Sequence, residues 1–190
     1  MRARLRTSLT ELVDLLESLP EVELSKIEAL ISLLEEVMKR GNKVLLFGNG
    51  GSAAQAQHMA SEFVNRLRKD RRPFAAIALC TDPSVMTSIA NDSDFSLVFS
   101  RQIEALGQAG DVAWGFTTSG NSPNVVKALI CAKQKGLHTV VFSGRGGEAV
   151  KWADIAILIP SDNVQRIQEV HLFLGHFVCE MLEDALFPRT

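Results

Sequence analysis

Residues 43–62 read KVLLFGNGGSAAQAQHMASE, a short apolar run, a glycine turn and a helix-forming stretch joined without interruption. Lys43 to Phe47 has the apolar, β-branched-containing character of a central parallel strand, and the residues from Ala53 onward favour a helix. Between them Gly48, Gly50 and Gly51 let the backbone turn sharply and approach a ligand closely. Asn49 and Ser52 add small polar groups, and Ser52 is placed to cap the helix. Free amides at the helix start, with the positive end of its dipole, favour a phosphate or another anionic oxygen. A tight strand-to-helix turn without a ligand is the plainer alternative. The turn is not a P-loop, because no lysine followed by Ser or Thr completes it, and its glycine spacing does not fit the dinucleotide fingerprint.

Beyond this unit the same alternation continues. Val44 to Phe47, Phe74 to Leu79, Val112 to Phe116, Thr139 to Phe142 and Ile155 to Ile159 are strand candidates, separated by helical stretches near 53–69, 83–106, 123–136 and 146–152. Strands alternating with helices predict βαβ units, hence an α/β three-layer sandwich: a five-stranded parallel sheet with helices on both faces. Such a sheet binds its ligand beyond the carboxyl ends of the strands, at a topological switch point. Residues 1–40 hold no glycine and no aromatic residue, and their apolar positions recur at helical spacing. Leu5, Leu9, Leu12 and Leu16, widened by Leu15 and Leu19, predict one helix; Leu24, Ile27, Leu30, Ile31, Leu34 and Met38 predict a second, with Pro20 at the break. This segment is expected either to pack on another subunit or to cover one face of its own sheet, with residues 41–190 as one structural unit.

A chain of 190 residues suits one domain with a full core. Its net charge of -2 and 22% charged residues give no electrostatic case for a nucleic-acid partner. The densest basic run, RLRKDRR at 66–72, reads as a solvated helix end. Cys80, Cys131 and Cys179 are widely spaced in apolar surroundings, which predicts buried reduced thiols in a cytoplasmic protein. The start, MRARLRTSLTELVDLL, has no continuous apolar segment of an export signal, and no apolar run is long enough to span a membrane.

The second polar loop follows the strand VAWGF: Thr117-Thr118-Ser119-Gly120-Asn121-Ser122, then Pro123. Ser122 as cap with Pro123 in the first helical position is a well-formed helix start. One hydroxyl would suffice for capping; four point to a phosphate or polyol held by hydroxyls and backbone amides. Asn91-Asp92 is by itself a turn signal, and His138 and the glycine-rich stretch 143–147 read as a surface histidine and a loop. His58 and Glu62, four residues apart on the helix after the glycine turn, share one face. An imidazole and a carboxylate near a phosphosugar are what proton transfer between adjacent carbons requires, and they are also plausible ligands for zinc or another divalent transition metal. On the last helix, from about 163 to 186, Gln168, Leu172 and His176 descend one side in steps of four, so His176 lies beside the apolar face of Ile167, Val170, Leu174, Phe177, Val178 and Met181.

Four blocks, GNGGSAAQAQHMASE, IANDSDF, TTSGNSPNVVKA and RIQEVHLFLGH, resemble in order and spacing those of bacterial phosphoheptose isomerases, in the sugar isomerase (SIS) domain superfamily. The likeness runs from about residue 40 onward, and the two N-terminal helices fit it as well. It implies a flavodoxin-like SIS fold, a homotetramer, and conversion of sedoheptulose 7-phosphate to D-glycero-D-manno-heptose 7-phosphate for lipopolysaccharide core or other surface glycans. By the same resemblance, Glu62 and His176 are the general base and acid that move a proton between C1 and C2 through a cis-enediol, in either order. His58, Glu62, Gln168 and His176 would bind a zinc ion. Asn49, Gly50, Gly51, Glu62, Asn91, Asp92, Thr117, Thr118, Ser119, Ser122 and Gln168 would contact the substrate, to which the helix-start argument adds Ser52. Gln55 stands where such proteins commonly have Asp, which removes an acidic contact one turn before His58. Gln168 and His176 are eight residues apart, about 12 Å along a helix, so one ion shared by both needs reach from two sides or a neighbouring subunit. Relatives of this fold that bind the bacterial replication initiator without isomerase chemistry are the rival class; they have no need for Glu62 and His176 together.

Overall fold

The run VLLFG at 44–48 is buried at every position, which only a strand with neighbours on both edges and helices on both faces achieves. The computed structural model, which describes residues 1–188, places it in this way. Helices α1 (Arg2–Glu17) and α2 (Glu21–Arg40) lead into β1 (Val44–Gly48), α3 (Gly51–Val64), β2 (Ala76–Ala78), α4 (Pro83–Asp92) and α5 (Ser100–Leu106). Then come β3 (Val112–Phe116), α6 (Pro123–Gln134), β4 (His138–Ser143), β5 (Ile155–Leu158) and α7 (Val164–Leu186). The sheet is parallel throughout, in the order β2-β1-β3-β4-β5. The chain reverses its direction of growth between β1 and β3, and the loops after these two strands therefore flank the switch point.

Alternation along the strands divides the core. Val44 and Leu46 of β1 join Trp114, Phe116 and Phe142 under Leu30, Leu34 and Met38 of α2, Met59 and Phe63 of α3, and Val170 and Val178 of α7. Leu45 and Phe47 face the other way, against Phe99, Ile103, Val125 and Leu129 from the α5–α6 side. Burying each such side chain fully is worth roughly 1.5–3 kcal/mol relative to exposure. Because α2 contributes to this same core, residues 21–40 are part of the sandwich.

Several boundaries differ from expectation. The stretch 83–106 is broken: α4 ends at Asp92, Asp94 caps a short 3₁₀ turn at Phe95–Leu97 by accepting from the Ser96 amide, and α5 begins at Ser100. The helix expected to run to 69 stops at Val64, and the stretch near 146–152 is a 3₁₀ helix at Glu148–Trp152. Ser52 is not the cap of α3; Gly50, at φ 53, occupies that position, and Ser52 is buried inside the first turn. On α1, Leu5 and Leu9 of the expected stripe are 61% and 55% exposed, and Leu15 is the buried residue, because only the last turns of the helix reach the core. Among the described residues no helix is long and apolar enough to cross a membrane.

Candidate active site

The loops at the switch point are locked to each other. Asn49, after β1, and Asn124, in the first turn of α6, exchange two amide hydrogen bonds, each of 2.8 Å. Asn124 is buried and was not foreseen from sequence; its only signal is an amide next to the Ser122-Pro123 helix start. In the 117–122 loop, Thr117 is buried and its Oγ1 accepts from the Gly120 amide at 3.1 Å, while Ser119 Oγ accepts from the Asn121 amide at 3.1 Å. Gly120, at φ 68, packs so closely on Gly146 and Gly147 that a Cβ would lie 1.7 Å from the Gly146 carbonyl oxygen, so the two loops form one piece. Ser122 is the N-cap residue of α6 as expected, but its hydroxyl makes no capping bond. Thr118 and Ser119 border a cavity of about 430 Å³ with Arg145 and Asp162, while Ser122 begins α6 just beyond them.

Gln168 lies at the other loop. A Cβ on Gly51 would be 2.6 Å from Gln168 Nε2, so the first turn of α3 touches the Gln168 side chain directly. One turn further, Gln55 Nε2 donates to the Gln168 carbonyl at 2.6 Å. Helices α3 and α7 therefore run side by side in the same direction. That pairing brings His176 to His58: their Nε2 atoms are 2.7 Å apart, one donating a proton and the other accepting, with rings edge to face. Glu62 Oε1 is 3.4 Å from His58 Nε2. Donor atoms of His58, Glu62 and His176 all lie within 4.8 Å of one another, a group that could hold a metal ion.

Two imidazole nitrogens and a carboxylate oxygen fit a divalent transition metal by type. Ligands about 2.0–2.1 Å from a tetrahedral zinc stand about 3.4 Å apart, so the His58–Glu62 spacing already suits an ion and the two histidines would need to part slightly. Gln168 is about two turns before His176 on α7, with its side chain against Gly51. Asn91 and Asp92 lie exposed at the end of α4, where the Asn91 amide donates to Asp92 at 2.8 Å.

A family model described as the SIS domain matches residues 9–144. The phosphoheptose isomerase of Thermodesulfovibrio yellowstonii is 43% identical over 185 residues, covering 97% of this chain and 92% of its own length. The chain belongs to the phosphoheptose isomerase family of SIS domain proteins. A second family member, from Aquifex aeolicus, is 48% identical over 171 residues, 90% of each chain. The phosphoheptose isomerase structure from Neisseria gonorrhoeae superposes with a TM-score of 0.90 at 35% identity, covering 96% of this chain and 98% of that one.

Proposed function

We propose that the protein is an aldose–ketose isomerase that converts sedoheptulose 7-phosphate to D-glycero-D-manno-heptose 7-phosphate. One observation carries the reading: in a chain of the phosphoheptose isomerase family, His176 of the last helix meets His58 and Glu62 on the helix that starts at the β1 loop. The substrate's phosphate rests on Thr118, Ser119 and Ser122 at the start of α6, held by neutral donors and the helix dipole. Asn49, Gly50, Gly51, Ser52 and Gln168 would contact the sugar, with Asn49 held in place by Asn124. Glu62 and His176 then act through a cis-enediol: one takes the proton from C1 and returns it to C2, while the other protonates the C2 carbonyl oxygen and takes the proton of the C1 hydroxyl, and the reverse reaction retraces these steps. Glu62 Oε1 is turned to His58, which leaves its second oxygen for the proton.

His58, Glu62 and His176 would hold a zinc ion, with Gln168 as a fourth ligand if a neighbouring copy supplies it. When bound, the ion supplies positive charge against the carbonyl and hydroxyl oxygens of the sugar. A homotetramer with sites at its interfaces is supported by Phe173 and Phe177, 54% and 41% exposed on α7. They line an apolar groove of about 980 Å³ with Leu16, Leu19, Ile27 and Ile31. The work is cytoplasmic, supplying heptose for surface glycans.

Purified protein is expected to interconvert the two heptose 7-phosphates, and turnover with and without a chelator reads the metal's part. No turnover in either condition, with folded protein in hand, overturns the assignment.

A further inference from the structure

The chain leaving α3 is tied to α7 by a buried ion pair. Glu183 accepts from the backbone amides of Leu67 at 2.8 Å and of Arg68 and Lys69 at 2.9 Å each, and from Arg71 Nε at 2.9 Å. Both side chains are only 2% exposed. Burial alone would raise the Glu183 carboxyl, but the amides of Leu67, Lys69 and Arg68 and the Arg71 guanidinium hold it below the ordinary carboxylate range. Arg71 also reaches the end of α3: Nη2 donates to the Glu62 carbonyl at 2.6 Å, and Nη1 to the carbonyls of Phe63 at 3.0 Å and Asn65 at 3.4 Å as well as to that of Arg72 at 3.1 Å. The guanidinium also lies over the Phe74 ring, 4.4 Å from its centroid.

A pair so placed costs desolvation that a well-packed apolar pair would avoid, so net stability does not account for it. Its geometry does more. Arg71 holds the backbone carbonyl of Glu62 itself, and Glu183 sits about two turns beyond His176 on the same side of α7. Alongside, Gly175 approaches Met59 so closely that a Cβ would be 2.6 Å from its sulfur, which sets the spacing of the two helices. Packing fixes how near α3 and α7 lie; the ion pair fixes how the last turn of α3 is registered along α7.

We propose that Arg71 and Glu183 are positioning residues that keep the Glu62 carboxylate in register with His58 and His176. The inference rests on the isomerase reading for its kinetic consequence, since neither residue touches the sugar. Proton transfer is sensitive to such register, a misplacement of about 1 Å costing on the order of a hundredfold.

Arg71→Lys keeps the charge but loses the fork, and Glu183→Asp keeps the carboxylate but withdraws it. In either folded variant kcat is expected to fall about ten- to a hundredfold, with KM within about twofold because the 117–122 loop lies elsewhere. In a Glu62→Gln background, Arg71→Lys should change the residual rate by less than about twofold, because it acts through Glu62. An unchanged kcat in folded Arg71→Lys, or an equal fall in the Glu62→Gln background, overturns the proposal. So does loss of folded protein in both variants, which would make the pair a folding element. Imidazole nitrogen chemical shifts give a readout independent of turnover: those of His58 and His176 should move in Arg71→Lys and that of His171 should stay. Unmoved shifts at His58 and His176 overturn the positioning role even in a protein that showed no isomerase activity, a result that would defeat the functional reading separately.

Discussion

The two faces of α7 carry histidines five residues apart in opposite circumstances. His176 looks toward α3, partly open, with His58 and Glu62 around it. His171 looks into the sheet, fully buried between the rings of Phe116 and Phe142, with Nε2 3.1 Å from the Ser143 carbonyl and Nδ1 without a partner. Burial pushes His171 down to about 4, against a weaker opposing pull from its bond to Ser143, so it is neutral in all but acid solution. Residue type alone does not make a catalytic group. An imidazole with facing donors and access to a ligand can exchange protons; one sealed among aromatic rings serves as a packed hydrogen-bond donor.

The largest effect that could break this contrast is on turnover. Glu62→Gln and His176→Gln are each expected to lower kcat by about two to four orders of magnitude, the usual share of a general acid or base, with thermal unfolding little changed. A kcat within tenfold of the unsubstituted enzyme for either would erase the distinction between the faces.

Next in size is a pH effect belonging to His171 alone. Its folded value lies below the unfolded value near 6.5, so the unfolded chain binds the extra proton first, and stability is lost as pH falls from about 6.5 to about 4. The loss is about 3 kcal/mol across that window, with no further contribution below it. Urea unfolding at several pH values should show this slope, and His171→Gln, which keeps a donor but cannot titrate, should flatten it. An equal slope in both proteins would mean that other groups carry the acid sensitivity.

The smallest effect concerns the substrate's far end. Ser119→Ala and Ser122→Ala should each raise KM about tenfold or somewhat more while leaving kcat nearly unchanged, as expected for hydrogen bonds to a charged group worth about 1.5–3 kcal/mol. Unaltered KM in both would move the phosphate away from the 117–122 loop.

Much of this was legible in the sequence because it is local. The apolar runs at 44–47 and 112–116 mark central strands, and Ser122-Pro123 marks a helix start, since period and cap chemistry act within a few residues. His58 and Glu62 could be paired from helical spacing. Other features depend on partners more than 70 residues away: Asn124 on Asn49, Gln168 on Gly51, Glu183 on the 67–69 amides. The break in 83–106 was hidden because the apolar period continues through Asp94, whose side chain bonds to the Ser96 amide instead of letting the helix run on. Spacing placed His176 beside the buried stripe, but only packing tells it apart from His171.

His58 and His176 are separated by 118 positions, so the proposed site joins an early helix to the last one described. Contacts that span such separations form late, after the loop between them has been closed by other structure. A chain that has emerged as far as β5 holds every strand of its sheet and still lacks His176. In refolding, secondary structure should therefore return before turnover, and competence is reached only when α7 docks in register along α3.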